Sequence, residues 1–428
     1  MALNQGDVSA QEQDQEELTE TKILNEEYKN WKKNAPFLYD LLLSTALDWP
    51  TLTAPQAAAR VNSIRSPDKN YSINRLLLGT HTSNEGQNYI QIAHVHLPNS
   101  TAPSAGDYDG EREEIGGYGM SAGSAGNDVK FEIVQKIDHP GEINKARHMP
   151  KNPDMIATMC VDGKVMIWDR AKHSSHPTGT VNAQIELLGH SQEGFGLDWN
   201  PHQEGLLVTG SQDATNITLH PTRTYTHHTA YVNDVQHHPL HNSLIGTVSD
   251  DLTLQILDVR LPSTSTSVIQ GKGHEDAVNA LSFNPVSQYL LATASADKTI
   301  GIWDLRDLRF KLHSLEGHIG PVTSLSWHPF EEAVLGSASD DRRVCFWDLS
   351  KVGEEQTPDD QEDGPPELLF MHGGHINSIS EFSWNKNDPW LICSAAEDNL
   401  LQVWKVANAI VGKDTDDVPT EELEQMEP

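Results

Sequence analysis

A histidine recurs 29 residues ahead of the residue that closes a short apolar run, and it does so five times. The pairs are His139–Trp168, His228–Leu257, His274–Trp303, His318–Trp347 and His375–Trp404. In each unit an aspartate stands six residues before the last position: Asp162, Asp251, Asp297, Asp341 and Asp398. A sixth unit begins at His190 and fits with one residue inserted after Asp213, which puts His220 in the tryptophan position. Self-similarity at a fixed spacing means one supersecondary unit repeated along the chain, and it constrains the fold more than any single motif.

Each unit reads as short strands joined by tight turns. The endings VMIWD (165–169), LQILD (254–258), IGIWD (300–304), VCFWD (344–348) and LQVWK (401–405) carry apolar residues in alternation, the period of a half-buried strand. A second run precedes each and ends in a proline turn, as in LSFNP (281–285), LSWHP (325–329) and GLDWNP (196–201). Proline fixes φ there and biases the preceding residue toward extended geometry. Trp303 and Trp347 stand 44 residues apart, the length of a WD-repeat propeller blade. A degenerate earlier unit is visible in INRLLLGTHTS (73–83) and YIQIAHVHL (89–97). The expected fold is therefore all-β, a seven-bladed WD-repeat β-propeller over 44–407. The N-terminal segment, with its extended piece LDWPTLT (47–53), is expected to lend a strand to the last blade, so that no long edge strand remains.

Charge narrows the partners. The 428 residues hold 30 Lys+Arg against 62 Asp+Glu, a formal charge of −32. Nucleic-acid binding wants a basic patch, and this balance opposes it. An acidic surface attracts basic partners in a salt-dependent way and also keeps a protein in solution, and both readings stand. Cys160, Cys345 and Cys393 are odd in number and far apart, which argues against a disulfide framework or a cysteine-built zinc site. No apolar run approaches the roughly 20 residues of a membrane-spanning helix. The first residues are acidic and polar, unlike a secretory leader.

The 21 histidines invite a catalytic reading, but their recurrence argues for scaffold. An active site is singular, whereas His274, Ser295, Asp297 and Trp303 form a set that returns in unit after unit. Such a set is expected to hydrogen-bond inside each blade, because buried polar groups must find partners. His227, His228, His237, His238 and His241 cluster without the spacing of helical metal ligands. No catalytic, cofactor or metal residues are expected.

Four stretches break the pattern. Residues 1–21 hold six acids and no bases, and are expected to be a disordered acidic tail. In 22–43, Leu24, Tyr28 and Trp31 share one helix face, and Pro36 is expected to end or kink the helix near Ala35. That helix either packs on the propeller side or forms a groove with it for a partner helix. Residues 98–128 are rich in Gly, Ser and acids and read as a flexible loop. The insertion GEEQTPDDQEDGPPE (353–367) holds seven acids and no bases, and the apolar LLFM (368–371) follows it. The acidic end, 408–428, reads as a tail.

The motifs NEEYKNWKKNAPFLYD (25–40), LLLGTHTSNEGQNYIQIA (76–93), SADKTIGIWDLRDLRFKLHSLEGH (295–318) and KVGEEQTPDDQEDGPPELLFMHGGH (351–375) are far more specific than a WD repeat. Over about residues 22–407 the chain resembles the retinoblastoma-binding, MSI-type histone-binding WD-repeat proteins. Within that family it resembles the fungal regulatory subunits of type B histone acetyltransferase most. The resemblance implies a groove for the first helix of histone H4 built from Leu24, Tyr28, Phe37, Leu38, Asp359, Asp360, Glu362, Asp363, Leu369 and Phe370. It implies a second site on one propeller face, for a basic peptide such as the histone H3 tail. The matching positions are Asp48, Trp49, His81, Glu142, Asn144, Glu193, Phe195, Glu397 and Asn399. The chain departs from the better-known animal pattern at Asn233 and Pro321, where Glu is expected, and at Thr323, where Phe is expected. It also departs at APQAAARVNSIRS (54–66), where the family usually has an outward Trp-Leu-Pro segment.

What the resemblance implies for function is a non-catalytic regulatory subunit working with the catalytic subunit of a type B histone acetyltransferase, in nucleus and cytoplasm. The same family serves chromatin assembly factor, deacetylase and Polycomb complexes. An enzyme acting in the propeller channel is the reading from another class.

Overall fold

The computed structural model describes residues 5–57, 71–98, 108–109, 114–115, 130–218, 223–262, 269–358, 361, 364–388 and 390–412. Their strands form seven four-stranded antiparallel sheets and one two-stranded ribbon, and the fold is an all-β WD40 propeller with few helices. The first sheet holds Gln56–Ala57, Tyr71–Gly79, Asn88–Pro98 and Lys130–His139. The second to sixth follow in chain order over 143–187, 196–225, 232–272, 278–315 and 322–372. The seventh combines Ile379–Trp384, Leu391–Ala396 and Leu400–Val406 with Tyr39–Ala46 from the other end of the chain.

The N-terminal segment does lend a strand to the last sheet, but the strand is Tyr39–Ala46 rather than the extended piece 47–53. Tyr39, Leu41 and Leu43 point inward in alternation, and Leu42 pairs with Trp404. The run of apolar residues hides a strand of period two directly behind a helix. Residues 47–55 instead cross to the first sheet, with Leu47 N–H donating to Asn399 O and Leu77 N–H to Pro55 O. Gln56 and Ala57 then pair with Leu76 and Arg75 as a short edge, and 58–66 lie outside the described residues.

The helix also begins earlier than expected. It spans Gln5–Leu38, so most of the acidic stretch 1–21 is helical rather than a separate tail. No proline or glycine interrupts 7–35, and Glu, Gln, Leu and Ala are good helix formers. Pro36 falls within the last turn, where few later N–H groups depend on it. At the far end Asn408–Val411 makes one helical turn, and 413–428 lie outside the described residues.

The repeated histidine sets are real but use a different hydroxyl from the one read in the sequence. His274 Nε2 bonds Thr293 Oγ1 at 2.8 Å, Trp303 Nε1 donates to the same oxygen at 2.7 Å, and His274 Nδ1 meets Asp297 at 2.9 Å. Ser295 instead accepts the Asp297 N–H and donates to Asp276 O. Ser295 is two residues along the same strand, so it serves the turn while Thr293 serves the hub. His318, Ser337, Asp341 and Trp347 repeat the arrangement. The His228, Thr247 and Asp251 set does so with Leu257 in the tryptophan place. Each histidine lies in the connection out of one sheet and its partners lie in the next, so the sequence unit straddles two sheets.

A second series of bonds runs around the inside. In five of the seven sheets the second residue of the inner strand reaches a main-chain oxygen in or just ahead of the following sheet. Asn144 donates to Gly194 O, Asn233 to Val278 O, Asn279 to Val322 O, Thr323 to Ile379 O and Ser380 to Thr51 O. Between the seventh and first sheets Glu381 accepts Ala54 N–H at 2.6 Å and also pairs with Arg147 of the second sheet. Burial opposes the Glu381 charge, but Arg147 and Lys145 outweigh it and hold its carboxyl below the usual range.

The helix is seated by aromatic rings. Trp31 Nε1 donates to Tyr39 Oη at 2.9 Å, and Tyr39 Oη bonds His372 Nδ1 at 2.7 Å. His372 stacks on Trp404 with ring centroids 4.1 Å apart, and its Nε2 meets Gln402 Oε1. A Cβ on Gly374 would lie 2.7 Å from Trp31 Cζ2 and 2.5 Å from Gln402 Oε1. The doubled glycine before His375 is thus what admits the tryptophan.

Three measurements follow from this packing. Thr293→Val leaves His274 Nε2 and Trp303 Nε1 without their shared partner and is expected to cost about 1–3 kcal/mol, read by urea unfolding. Gly374→Ala is expected to displace Trp31, so that trypsin cuts at Lys29, Lys32 or Lys33 faster while far-ultraviolet dichroism changes little. Burial pushes His139, His148, His238 and His328 down to about 4 and His375 to about 3. The unfolded chain, with ordinary histidines near 6.5, then binds more protons in acid. The contribution of these five histidines is full above about pH 6.5 and is lost as pH falls toward 4, whereas His318, raised to about 10, contributes in the opposite sense at alkaline pH. A melting temperature that is flat between pH 7 and 4.5 would contradict this.

Candidate functional site

The helix presents a partly open apolar strip toward solvent. Leu24 and Tyr28 are half-buried, and Tyr28 lies 5.4 Å from Trp31 between ring centroids. Burial first, and the nearby Asp398 charge second, raise the Tyr28 phenol. Phe37 is 64% exposed at the helix end, an unusual position for a phenylalanine. Leu38 and Leu369 are half-buried and pack on the cluster of Tyr39, Phe346 and Trp404. Phe370 does not belong to this strip. It is buried, edge-on to Tyr39 at 5.6 Å and near Phe346 at 6.1 Å. The strand is bulged at Leu369, so Leu369 and Phe370 both lean on the cluster of Tyr39, Phe346 and Trp404, with Phe370 the more deeply buried.

The acidic insertion is anchored at both ends. Gln356 Nε2 donates to Gly364 O, Gln361 N–H to Thr357 O, and buried Glu367 meets His313 Nε2 at 3.1 Å. Asp359, Asp360, Glu362 and Asp363 lie outside the described residues.

On the propeller face the expected residues divide into pairs. His81 Nε2 lies 3.2 Å from Glu142, whose other oxygen accepts Asn84 N–H. Asn144 donates to Glu193 at 3.2 Å, and Gln212 donates to the same carboxylate. Asn144, Phe195 and Glu397 line a central channel of about 790 Å³, and Phe195 is 37% exposed there. Asp48, Trp49, His81, Glu142, Glu193 and Asn399 lie outside the walls of that channel. Asp48 pairs with Lys136 at 3.6 Å, and Trp49 packs against Gly86. Asn399 is a turn residue at φ +67°. Asn144 therefore has a structural duty besides any contact it makes, because it belongs to the inner series of bonds. Asn233 and Thr323 belong to the same series, which accounts for polar residues at both positions. The Pro321 carbonyl accepts Asp340 N–H and Ser339 Oγ–H.

The clustered histidines are dispersed by the fold. His228 sits in its sheet's hub, His237 faces Asp198 at 3.4 Å, and His238 stacks near His241 and Phe283. Among the described residues no group of three or more His, Cys, Asp or Glu could hold a metal ion. Sequence reading missed Arg342 and Arg343, which face Glu27 of the helix, and the Arg147–Glu381 clamp. The signal for the first was visible. Other units carry no basic residue after the turn aspartate (DATN, DLTL) or a single lysine (DGKV, DKTI), and here the turn reads DRRV with two adjacent arginines.

Residues 26–99, which hold part of the helix, the closing strand and most of the first sheet, match the family described as the histone-binding protein RBBP4, or the C component of the CAF1 complex. Four stretches, 219–258, 265–304, 309–348 and 366–405, match the WD domain, G-beta repeat. Over 98% of both chains the protein is 65% identical to the histone acetyltransferase type B subunit 2 of Aspergillus oryzae. It is 65% identical to that of Aspergillus fumigatus over 95% of each, and 59% identical to that of Neurospora crassa over 99% of this chain and 97% of the other. The chain belongs to the family of histone acetyltransferase type B subunit 2 proteins.

Proposed function

We propose that this protein is a non-catalytic, histone-binding regulatory subunit of a type B histone acetyltransferase. The observation that carries the reading is the open apolar strip of Leu24, Tyr28, Phe37, Leu38 and Leu369 beside the anchored acidic insertion, much of it within the matched histone-binding region. An apolar strip flanked by acids suits a helix that is apolar on one face and basic on the other. The first helix of histone H4 is the occupant we infer, with Asp359, Asp360, Glu362 and Asp363 meeting its arginines and lysines. By holding the substrate, the subunit raises the catalytic partner's effective grip on newly made H4. Nucleus and cytoplasm are the compartments this role requires.

The non-catalytic reading is supported by the hubs. Their histidines and hydroxyls are buried and engaged with one another, repeated from sheet to sheet, and so unavailable to a substrate. We also infer that the seven sheets are seven blades of one closed ring, as the inner series of bonds supports. The propeller face is a second, weaker peptide site, because Asn233 and Pro321 supply no carboxylate for a basic tail such as that of histone H3. Chromatin assembly, deacetylase and Polycomb complexes are further assemblies in which the same groove would serve.

The deciding measurement is a titration of an H4 first-helix peptide at two salt concentrations. Binding is expected to weaken with salt, and to fall roughly tenfold or more when Asp359, Asp360, Glu362 and Asp363 become Asn or Gln. Equal, weak binding by both forms would overturn the groove as the histone site.

A further inference from the structure

Between the helix and the sixth and seventh sheets lies a cavity of about 310 Å³ that the histone groove does not use. Glu27, Arg342, Arg343, Met371, Gly373 and His375 contribute to its wall, and Asp341 reaches it too. The chain is strongly acidic, yet two adjacent arginines meet here. They share one carboxylate at long range, Glu27 at 3.8 and 4.0 Å, and Arg343 Nη1 otherwise faces only the sulfur of Met371. Asp341 does not compensate them from the other side, because its side chain is engaged by His318, Ile319 N–H and Arg343 N–H.

His375 supplies the independent observation. Its hub differs from the others. Trp404 Nε1 donates to Ser394 Oγ at 3.0 Å, and unlike Ser337, which donates to Cys345 O, Ser394 has among the described residues no acceptor for its proton but His375 Nε2, 2.7 Å away. Burial holds this histidine neutral, at about 3. A neutral ring that accepts at Nε2 carries its hydrogen on Nδ1. In the fourth, fifth and sixth sheets that position is bonded to Asp251, Asp297 or Asp341. In the seventh, Nδ1 is buried with no partner, and Asp398 caps only Leu400 N–H. A buried donor with no acceptor costs about 1–3 kcal/mol, and His375 stands in the cavity wall, so an acceptor that presses in from the cavity to reach Nδ1 recovers that energy.

We propose that this cavity binds the anionic oxygens of a carboxylate or phosphate group, held by Arg342 and Arg343 and accepting the His375 Nδ1–H bond. Guanidinium groups suit such oxygens because their donors are paired in a plane. Glu27 is the internal competitor for the two arginines. None of the groove residues takes part, so this site and the histone reading stand or fall separately.

The test uses the full chain with ¹⁵N-labelled histidine, at neutral pH and constant ionic strength. Inorganic phosphate and, separately, N-acetylglutamate amide are titrated while the His375 Nδ1–H resonance is followed. A saturable shift is expected from at least one probe. Saturation by phosphate alone assigns the site to phosphate groups, and saturation by the glutamate probe assigns it to acidic side chains. Arg342→Gln with Arg343→Gln is expected to weaken binding tenfold or more, and Glu27→Gln to tighten it. The Glu27 variant changes one exposed side chain, so it keeps the test decisive if the double variant folds poorly. No saturable shift from either probe would overturn the proposal. So would an equal shift in the double variant, or an Asp398→Asn change that moves the resonance in the free chain, since Asp398 would then already fill the donor.

Discussion

Everything in this molecule depends on adjacent sheets being tied edge to edge at the channel wall. A four-stranded antiparallel sheet on its own has two open edges and too little buried surface. Here the inner strands pack side by side, and at five of the seven junctions a polar side chain reaches main chain in or just ahead of the next sheet. The weakest junction is where the repeat is least regular, at the two-residue inner strand Gln56–Ala57. The strongest polar chemistry is placed there. Glu381 binds the Ala54 N–H and Arg147 together, Thr53 Oγ1 donates to Ala146 O, and Ser383 Oγ donates to Ala54 O. A buried charge is tolerated in that wall because it is paired and hydrogen-bonded on several sides.

The groove inherits its geometry from that closure. The helix runs without a linker into Tyr39–Ala46, the strand that completes the seventh sheet. Trp31, Tyr39, His372 and Trp404 then lock helix, sixth sheet and seventh sheet into one aromatic stack. A helix fixed at one end by a strand and along its length by rings presents Leu24, Tyr28 and Phe37 at a set angle. Little ordering of the receptor would then be needed when a partner helix arrives.

Much of this was legible in the sequence, for physical reasons that can be named. The hubs were, because His, Thr or Ser, Asp and Trp must keep register to bond one another, and register survives as spacing. Choosing Ser295 over Thr293 was an error of two residues on one strand face, which spacing alone cannot resolve. The closing strand was hidden because Tyr39–Ala46 follows a helix directly and its apolar run reads equally well as a continuation. Phe370 was placed in the groove because the resemblance carries a residue over by its position in a motif, which does not give its depth of burial. The arginine pair at 342–343 was overlooked because it lies inside a turn that the repeat makes look routine.

The pairing of Tyr39–Ala46 with Leu400–Val406 has a consequence for the protein's birth. About 350 residues separate the two strands. At roughly 5–20 residues per second a ribosome needs some 20–70 seconds to make that stretch. For all that time the helix and its strand wait, exposed and unpaired, for a mate still to be synthesised. The proposed groove therefore lacks its second wall on a nascent or truncated chain. A translation product cut short before Leu400 would carry the helix without the surface that aims it.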